Sequence, residues 1–368
     1  MAEPYTFTMA EAAARIRQGS LSPVDLVGSC LRRIDELEPQ LKAWVTIDRD
    51  AALAEARRCE EERSQGKFRG LLHGIPVGIK DIYYTAGIKT TAGSPLLADF
   101  VPQYDATAVA CLKQAGAVIL GKAVTTEFAA LDPAATRNPW NLEHTPGGSS
   151  SGSAAAVAAR MCPAALGSQT GGSTIRPAAY CGIVGLKPTY GRISCYGVIP
   201  VAESLDHVGI LTRTVTDAAL LLQVLAGHDP QDPNSSQISV PDYSQVLGNL
   251  ARPPRIGFVQ GFFLDRATEE ARVHTQATAE RLARAGAQVE EVRLPESFAP
   301  VPDALMAMVC VEAAAYHEDS FRKQRDQYGP KLCEILDRGL AISGVEYVHT
   351  RQVQRQFRRD MTEVLSKM

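Results

Sequence analysis

Two glycine–serine loops decide how this chain is read: Gly147-Gly148-Ser149-Ser150-Ser151-Gly152-Ser153 and Gly167-Ser168-Gln169-Thr170-Gly171-Gly172-Ser173. Between them, residues 153–161 form an Ala-rich helix pattern with almost no side-chain bulk, suited to deep burial. Upstream lies Gly74-Ile75-Pro76-Val77-Gly78-Ile79-Lys80-Asp81, within a short apolar segment (71–82) that reads as a buried strand and its connection. Glycines without Cβ let backbone N–H groups converge on one point. If Ser173 opens a helical turn, the positive end of that turn adds to the effect. An oxyanion formed by attack of Ser173 on a carbonyl would then meet the amides of Thr170, Gly171, Gly172 and Ser173. One such donor contributes about 10²–10³ in rate.

A serine hydroxyl needs a base. His73, His144 and His207 are scattered and carry no recurring pattern. Lys80 follows an apolar segment, and burial disfavours the charged ammonium. Ser149 can stand between them, taking the proton of Ser173 while giving its own to Lys80 and later protonating the leaving amine.

Blander readings fail on local detail. A Gly/Ser tract alone is more often a linker, but the Ala-rich helix and the second Gly-Gly-Ser reverse that judgement. Gly148 to Gly152 satisfies G-x-S-x-G, yet that elbow needs a preceding strand, and residues 138–146 are a Pro/Asn-rich loop. Gly116 to Lys122 nearly matches a phosphate-binding loop, but Ala123 follows where a Ser or Thr is required. Lys122 reads as a structural lysine with a satisfied head group. Cys181, among apolar neighbours, reads as inert packing.

The chain has 368 residues, 45% of them hydrophobic and 21% charged, which suits one large globular domain or two small ones. A net charge of −3 favours neither a nucleic-acid nor a membrane partner. The eight cysteines form no CxxC pair, so neither a zinc site nor a disulfide framework is indicated. No signal-peptide pattern opens the chain and no apolar run approaches a membrane span. A cytoplasmic compartment is the default.

The whole chain, 1–368, reads as one domain. Residues 1–65 are N-terminal helices, one of them opened by Ser22-Pro23 and one covering 49–63. Residues 66–230 form the core. There Asp105 caps a helix that Gly116 stops, and Ala117 to Leu120 and Ile183 to Leu186 are strands. Residues 231–254 are a surface excursion, after which Arg255-Ile256-Gly257-Phe258-Val259 restarts the sheet. A helix (269–285), a strand (288–294) and a mainly helical end follow. This alternation predicts an α/β protein with a covered sheet.

Pro146-Gly147-Gly148-Ser149-Ser150 through Gly171-Gly172-Ser173-Thr174-Ile175-Arg176-Pro177 resembles the amidase signature family. The likeness takes in the Lys80 segment, Cys181 to Thr189 and Asp206-His207-Val208-Gly209. It is strong from about 21 to 225 and weak thereafter. It implies the amidase signature fold, a mixed central β-sheet covered by helices on both faces (α/β/α). It also implies a Ser–cis-Ser–Lys triad, with Ser173 as nucleophile, Ser149 as bridge and Lys80 as base. The oxyanion amides are then those of Thr170 to Ser173, and no metal or organic cofactor is needed.

On the substrate side the resemblance points to Ser150, Gln169 and Arg176. Ser150 is the neighbour often hydrogen-bonded in that loop, and Gln169 stands where many members carry Asp. Arg176 lies one helical turn past Ser173, placed either to meet a substrate carboxylate or to be tied to an Asp or Glu. A small amide is the expected partner, with a homodimer possible, and malonamate-type amides are the nearest likeness. The same stretch is similar to the A subunit of glutamine-dependent aminoacyl-tRNA amidotransferases. Residues 189–194 support that reading, and Gln169 and the lack of an obvious glutamine-binding tail oppose it. A truncated non-catalytic paralogue is a third reading. Family members continue past this length, so residues 255–368 read as an incomplete continuation. Exposed sheet edges and marginal stability, oligomerisation or weak activity are then expected.

Overall fold

The computed structural model describes residues 3–245, 247 and 252–368. Six strands build the main sheet: β1 (Trp44–Ile47), β2 (Pro76–Lys80), β3 (Val118–Ala123), β4 (Ala164–Gln169), β5 (Val184–Leu186) and β6 (His207–Thr212), in the order β1-β3-β2-β4-β6-β5. β2 runs parallel to both β3 and β4, while β1, β6 and β5 are antiparallel to their neighbours, so the sheet is mixed. All five residues of β2 are buried, as its central place between two partners and beneath helices demands. Parallel pairing brings the ends of β2 and β4, Lys80 and Gln169, to one edge of the sheet. That edge is where open α/β sheets present their ligands.

Helices pack around the sheet. α1 (Met9–Gln18) opens with a capping box between Thr8 and Glu11. α2 (Pro23–Leu41) is capped by the Ser22 hydroxyl, as its sequence predicts. α3 (Arg49–Ser64) is capped by Asp48. α4 (Thr107–Gln114) corrects one expectation: it begins after Ala106 with no side-chain cap. Asp105 instead accepts from the Ala86 N–H at 2.8 Å and pairs with Lys113.

α5 (Ser151–Ala158) is the Ala-rich helix, starting two residues earlier than predicted, and every side chain from Ser151 to Val157 is buried. It packs on β2, β3 and β4. A Cβ on Gly152 would lie 2.2 Å from the Ala43 carbonyl oxygen and 2.4 Å from the Val124 nitrogen, so only glycine fits there. That close approach seats the preceding Gly148-Ser149 segment over the end of the sheet. α6 (Ile175–Cys181) follows the second loop, and α7 (Val215–Leu225) is capped by Thr214.

The later chain departs from expectation. β7 (Arg255–Gln260) and β8 (Gln288–Arg293) pair only with each other, in parallel, as a separate two-stranded sheet. Their crossover carries α8 (Phe262–Arg266) and α9 (Glu269–Arg284), and no residue of α9 is buried. β7 therefore does not restart the main sheet. Nor is the excursion loose where it is described: Asp232 accepts from the Cys195 N–H at 2.8 Å, and Arg192 donates to the Ile238 and Ser239 carbonyls. Residues 246 and 248–251 of that predicted excursion lie outside the described residues.

α10 (Val301–Gln324), α11 (Pro330–Ala341) and α12 (Gly344–Ser366) complete the chain, with α11 and α12 both packed on α10. The stretch Glu296–Gln327 is long and apolar enough to span a membrane by length and composition, although the sequence shows no unbroken apolar run there. Its Met308, Cys310 and Phe321 are buried within the protein. Carboxylates tie these helices to the core. Glu127 accepts from the Gly329 N–H at 2.7 Å, Asp132 from the Leu332 N–H at 2.9 Å, and Glu312 from the Ser204 N–H at 2.9 Å.

The Gly152 contact yields a test. Gly152→Ala must push α5 off the strand ends, at a cost of about 3 kcal/mol in urea unfolding. A change below about 0.5 kcal/mol would mean that this approach does not set the position of α5.

Candidate active site

Lys80 ends the central strand with its whole side chain buried. Its Nζ lies 2.7 Å from Ser149 Oγ and 2.7 Å from Ser168 Oγ. Burial pushes the ammonium down to about 7, against a weaker upward pull from the Asp206 carboxylate. Lys122, one strand away, is equally buried but differently partnered. Its Nζ lies 3.4 Å from Asp81 Oδ1 and donates to the Tyr83 carbonyl and Thr90 hydroxyl, each at 2.6 Å. Burial lowers it only to about 8, because Asp81 holds it up. Lys122 is thus the structural lysine read from the sequence. Lys80, hydrogen-bonded to two hydroxyls and, among the described residues, to no carboxylate, is equipped to accept a proton.

The two loops abut at this lysine. The Gly148–Ser149 peptide bond is cis, and Ser149 is buried. The Ser150 N–H donates to the Ser173 carbonyl at 3.3 Å. Among the described residues the Ser173 hydroxyl makes no hydrogen bond to Ser149. Such bonds commonly tighten only with substrate present. The N–H groups of Thr170, Gly171, Gly172 and Ser173 likewise find no acceptor among the described residues.

The loop is held from behind. Gln169 Oε1 accepts from the Thr174 and Ile175 N–H groups at 3.1 and 3.0 Å, and its Nε2 donates to the Gly171 carbonyl at 3.0 Å. The Asp206 carboxylate accepts from the Thr170 hydroxyl and from the Val201 and Ala202 N–H groups. Burial pushes Asp206 up to about 6, with these donors pulling the other way.

Three expectations about substrate contact therefore change. Gln169 is a buried backbone clamp. Ser150 is fully buried, with its Oγ accepting from the Ser168 N–H at 3.1 Å, and so it positions β4. Arg176 is tied, but to the Gly148 carbonyl (3.1 Å from Nε, 2.6 Å from Nη2) and not to an Asp or Glu. It remains exposed at the mouth of the site. Sequence reading missed Ser168 as the second partner of Lys80. It also assigned no role to Asp206, although the motif Asp206-His207-Val208-Gly209 pointed to the place.

Gly171, Gly172 and Ser173 open onto a cavity of about 210 Å³. Its other walls are mostly apolar, with Phe128 from the core and Leu305, Met306, Val309 and Leu332 from α10 and α11. Arg176 also borders a wider groove of about 720 Å³ that carries Lys331, Glu334 and Arg338. Neither helix was foreseen as part of the site, because their pattern speaks of burial and not of what they cover. Elsewhere, Cys59, Glu62 and His73 come within metal-binding distance of one another. Glu62 is already paired twice with Arg69, at 2.7 and 2.6 Å, and His73 Nε2 lies 2.8 Å from the Cys59 carbonyl.

Comparison with known proteins agrees with this geometry. A family model described as Amidase matches residues 25–367. The A subunit of the glutamyl-tRNA(Gln) amidotransferase of Roseiflexus sp. (strain RS-1) is 39% identical over 392 residues, covering 99% of this chain and 80% of that protein. Among solved structures, a chain from a vestigial complex that reveals the origins of an s-triazine catabolic enzyme superposes with a TM-score of 0.92 at 31% identity, covering 98% of this chain and 79% of that one. The peptide amidase of Stenotrophomonas maltophilia gives 0.84 at 36% identity, covering 95% and 79%. The mixed sheet and its surrounding helices are thus the amidase signature fold. On these matches, the chain belongs to the amidase family of enzymes that act on amide C–N bonds.

Proposed function

We propose that this chain hydrolyses small carboxamides through an acyl-enzyme on Ser173. The observation that carries the reading is the buried Lys80 amine, 2.7 Å from Ser149 Oγ and without a carboxylate partner among the described residues. In its neutral form the amine accepts the Ser149 proton. Ser149 in turn takes the proton of Ser173 as Ser173 Oγ bonds to the amide carbon. The negative oxygen of the tetrahedral intermediate faces the free N–H groups of Thr170 to Ser173. Collapse breaks the C–N bond. Ser149 gives a proton to the departing nitrogen, recovers one from Lys80, and ammonia or an amine leaves. Water then attacks the ester, with the relay removing its proton, and the carboxylic acid leaves while Ser173 regains its hydrogen.

A second reading has specific support. The Roseiflexus relative is part of an amidotransferase, and in that setting the same chemistry would free ammonia from glutamine for a partner protein. The cavity beside Ser173 weighs against it. Glutamine carries an ammonium as well as a carboxylate, and no Asp or Glu lines that cavity among the described residues.

Ammonia release by the isolated chain across apolar carboxamides and glutamine separates the two readings. Hydrolysis of apolar amides without any partner supports the first, whereas turnover of glutamine alone supports the second. Ser173→Ala and Lys80→Met should each lower kcat at least ~10³-fold, and retention of turnover in either overturns the relay. Because the amine form of Lys80 is the active one, kcat/KM should rise with pH through about 7. A profile flat between pH 5.5 and 9 would contradict the assignment.

A further inference from the structure

His317, on α10, is 3% exposed and forms part of the wall of the cavity that holds Ser173. Phe128 and Tyr316 meet its ring edge to face, at 4.5 and 4.8 Å between centroids. Its Nδ1 lies 3.2 Å from the Tyr328 hydroxyl, which lies 2.6 Å from Ser320 Oγ. Ser320 donates to the His317 carbonyl at 3.0 Å.

One placement of the hydrogens satisfies all three contacts at once. A carbonyl only accepts, so the single Ser320 hydrogen is committed to it. The Tyr328 hydrogen must then point to Ser320 Oγ. The Tyr328 oxygen is left to accept, and Nδ1 must donate to it. The imidazole therefore carries its proton on Nδ1, and Nε2 bears a bare lone pair. Burial pushes the ring down to about 4, so it stays neutral at physiological pH. Nε2 has no partner among the described residues and is not sealed off. The ring lines the cavity and its Nδ1 is held by Tyr328, so Nε2 is the polar atom left to meet a ligand beside the apolar side chains of α10 and α11, where an unmatched polar group is costly.

We propose that His317 is a specificity determinant of this site. It selects amides whose apolar portion ends in a neutral hydrogen-bond donor, such as a phenolic or aliphatic hydroxyl, received by Nε2. This rests on the reading of the site as an amide hydrolase. A cationic donor is disfavoured, because among the described residues no carboxylate lines the cavity to offset its charge. Size fits the assignment: an apolar cavity of about 150 Å³ holds benzene, so about 210 Å³ accepts a ring with a short linker and a hydroxyl. A site that hydrogen-bonds a substrate hydroxyl rejects the analogue lacking it far better than apolar walls distinguish methylenes.

The test uses 4-hydroxyphenylacetamide and phenylacetamide. Binding is measured by calorimetry on the Ser173→Ala protein, which cannot form the ester, and hydrolysis on the wild type. The hydroxylated amide should bind at least tenfold more tightly. His317→Leu, in the same background, should bring the ratio near one. Tyr328→Phe removes the acceptor that holds Nδ1–H and frees the ring to switch tautomer, so it too should shrink the preference. It serves as the deciding variant if His317→Leu does not fold. Equal binding of the two amides, or a preference that survives both substitutions, overturns the proposal. Preferential binding without hydrolysis of either amide would overturn the catalytic reading and leave the His317 assignment standing. Hydrolysis without preference would do the reverse.

Discussion

A lysine amine stripped of water and given only hydroxyls for company is the constraint on which this structure depends. Taking an ammonium out of water is expensive unless a carboxylate compensates, and a lone buried amine responds by giving up its proton. Lys122 shows the alternative a few ångströms away. Held by Asp81 and a carbonyl, it stays nearer its usual state and does structural work. The two lysines differ in partners, not in burial. The neutral amine also couples the site to stability. Its folded-state value is lowered, so between about pH 7 and its ordinary 10.5 the unfolded chain binds more protons. Stability rises with pH across that window, and the full penalty is borne below it. The site is therefore least favourable to the fold where Lys80 is charged.

Keeping Lys80 dry dictates much of the surrounding architecture. It ends the most enclosed strand, and α5 covers that strand with side chains no larger than valine. Gly152 lets the helix touch the chain at Ala43 and Val124, which brings Ser149 within reach of the amine. The second loop is shaped by what lies behind it. Gln169 and Asp206 satisfy the surrounding backbone and Thr170, and among the described residues the N–H groups of residues 170–173 have no acceptor. α10 and α11 then roof the site through Glu127, Asp132 and Glu312, and they supply the apolar walls and His317.

What the sequence disclosed and what it hid follow from the range of the interactions involved. The meeting of Lys80 and Ser149 was legible because glycine spacing around each is a local signature of unusual backbone. Ser168 was hidden, because its approach to Lys80 depends on β2 and β4 pairing across more than eighty residues. β4 itself, Ala164-Ala165-Leu166-Gly167-Ser168-Gln169, has neither alternation nor β-branched residues, and its strand character comes from two flanking partners. β1, only four residues long, also went unread, as did β6, which is paired on both sides. β7 was recognised as a strand but assigned to the wrong sheet, since its own residues do not encode which edge it joins. Arg176 was ambiguous from the sequence because its acceptor is the carbonyl of Gly148, a group every residue possesses.

The most direct measurement is the titration of Lys80 itself, followed by the NMR shift of ¹³Cε-labelled lysine and assigned by its disappearance in Lys80→Met. The account predicts an inflection near pH 7 in the folded protein, well separated from the surface lysines. An inflection near 10, alongside the others, would mean that the amine stays charged through neutrality, and the relay would have no base.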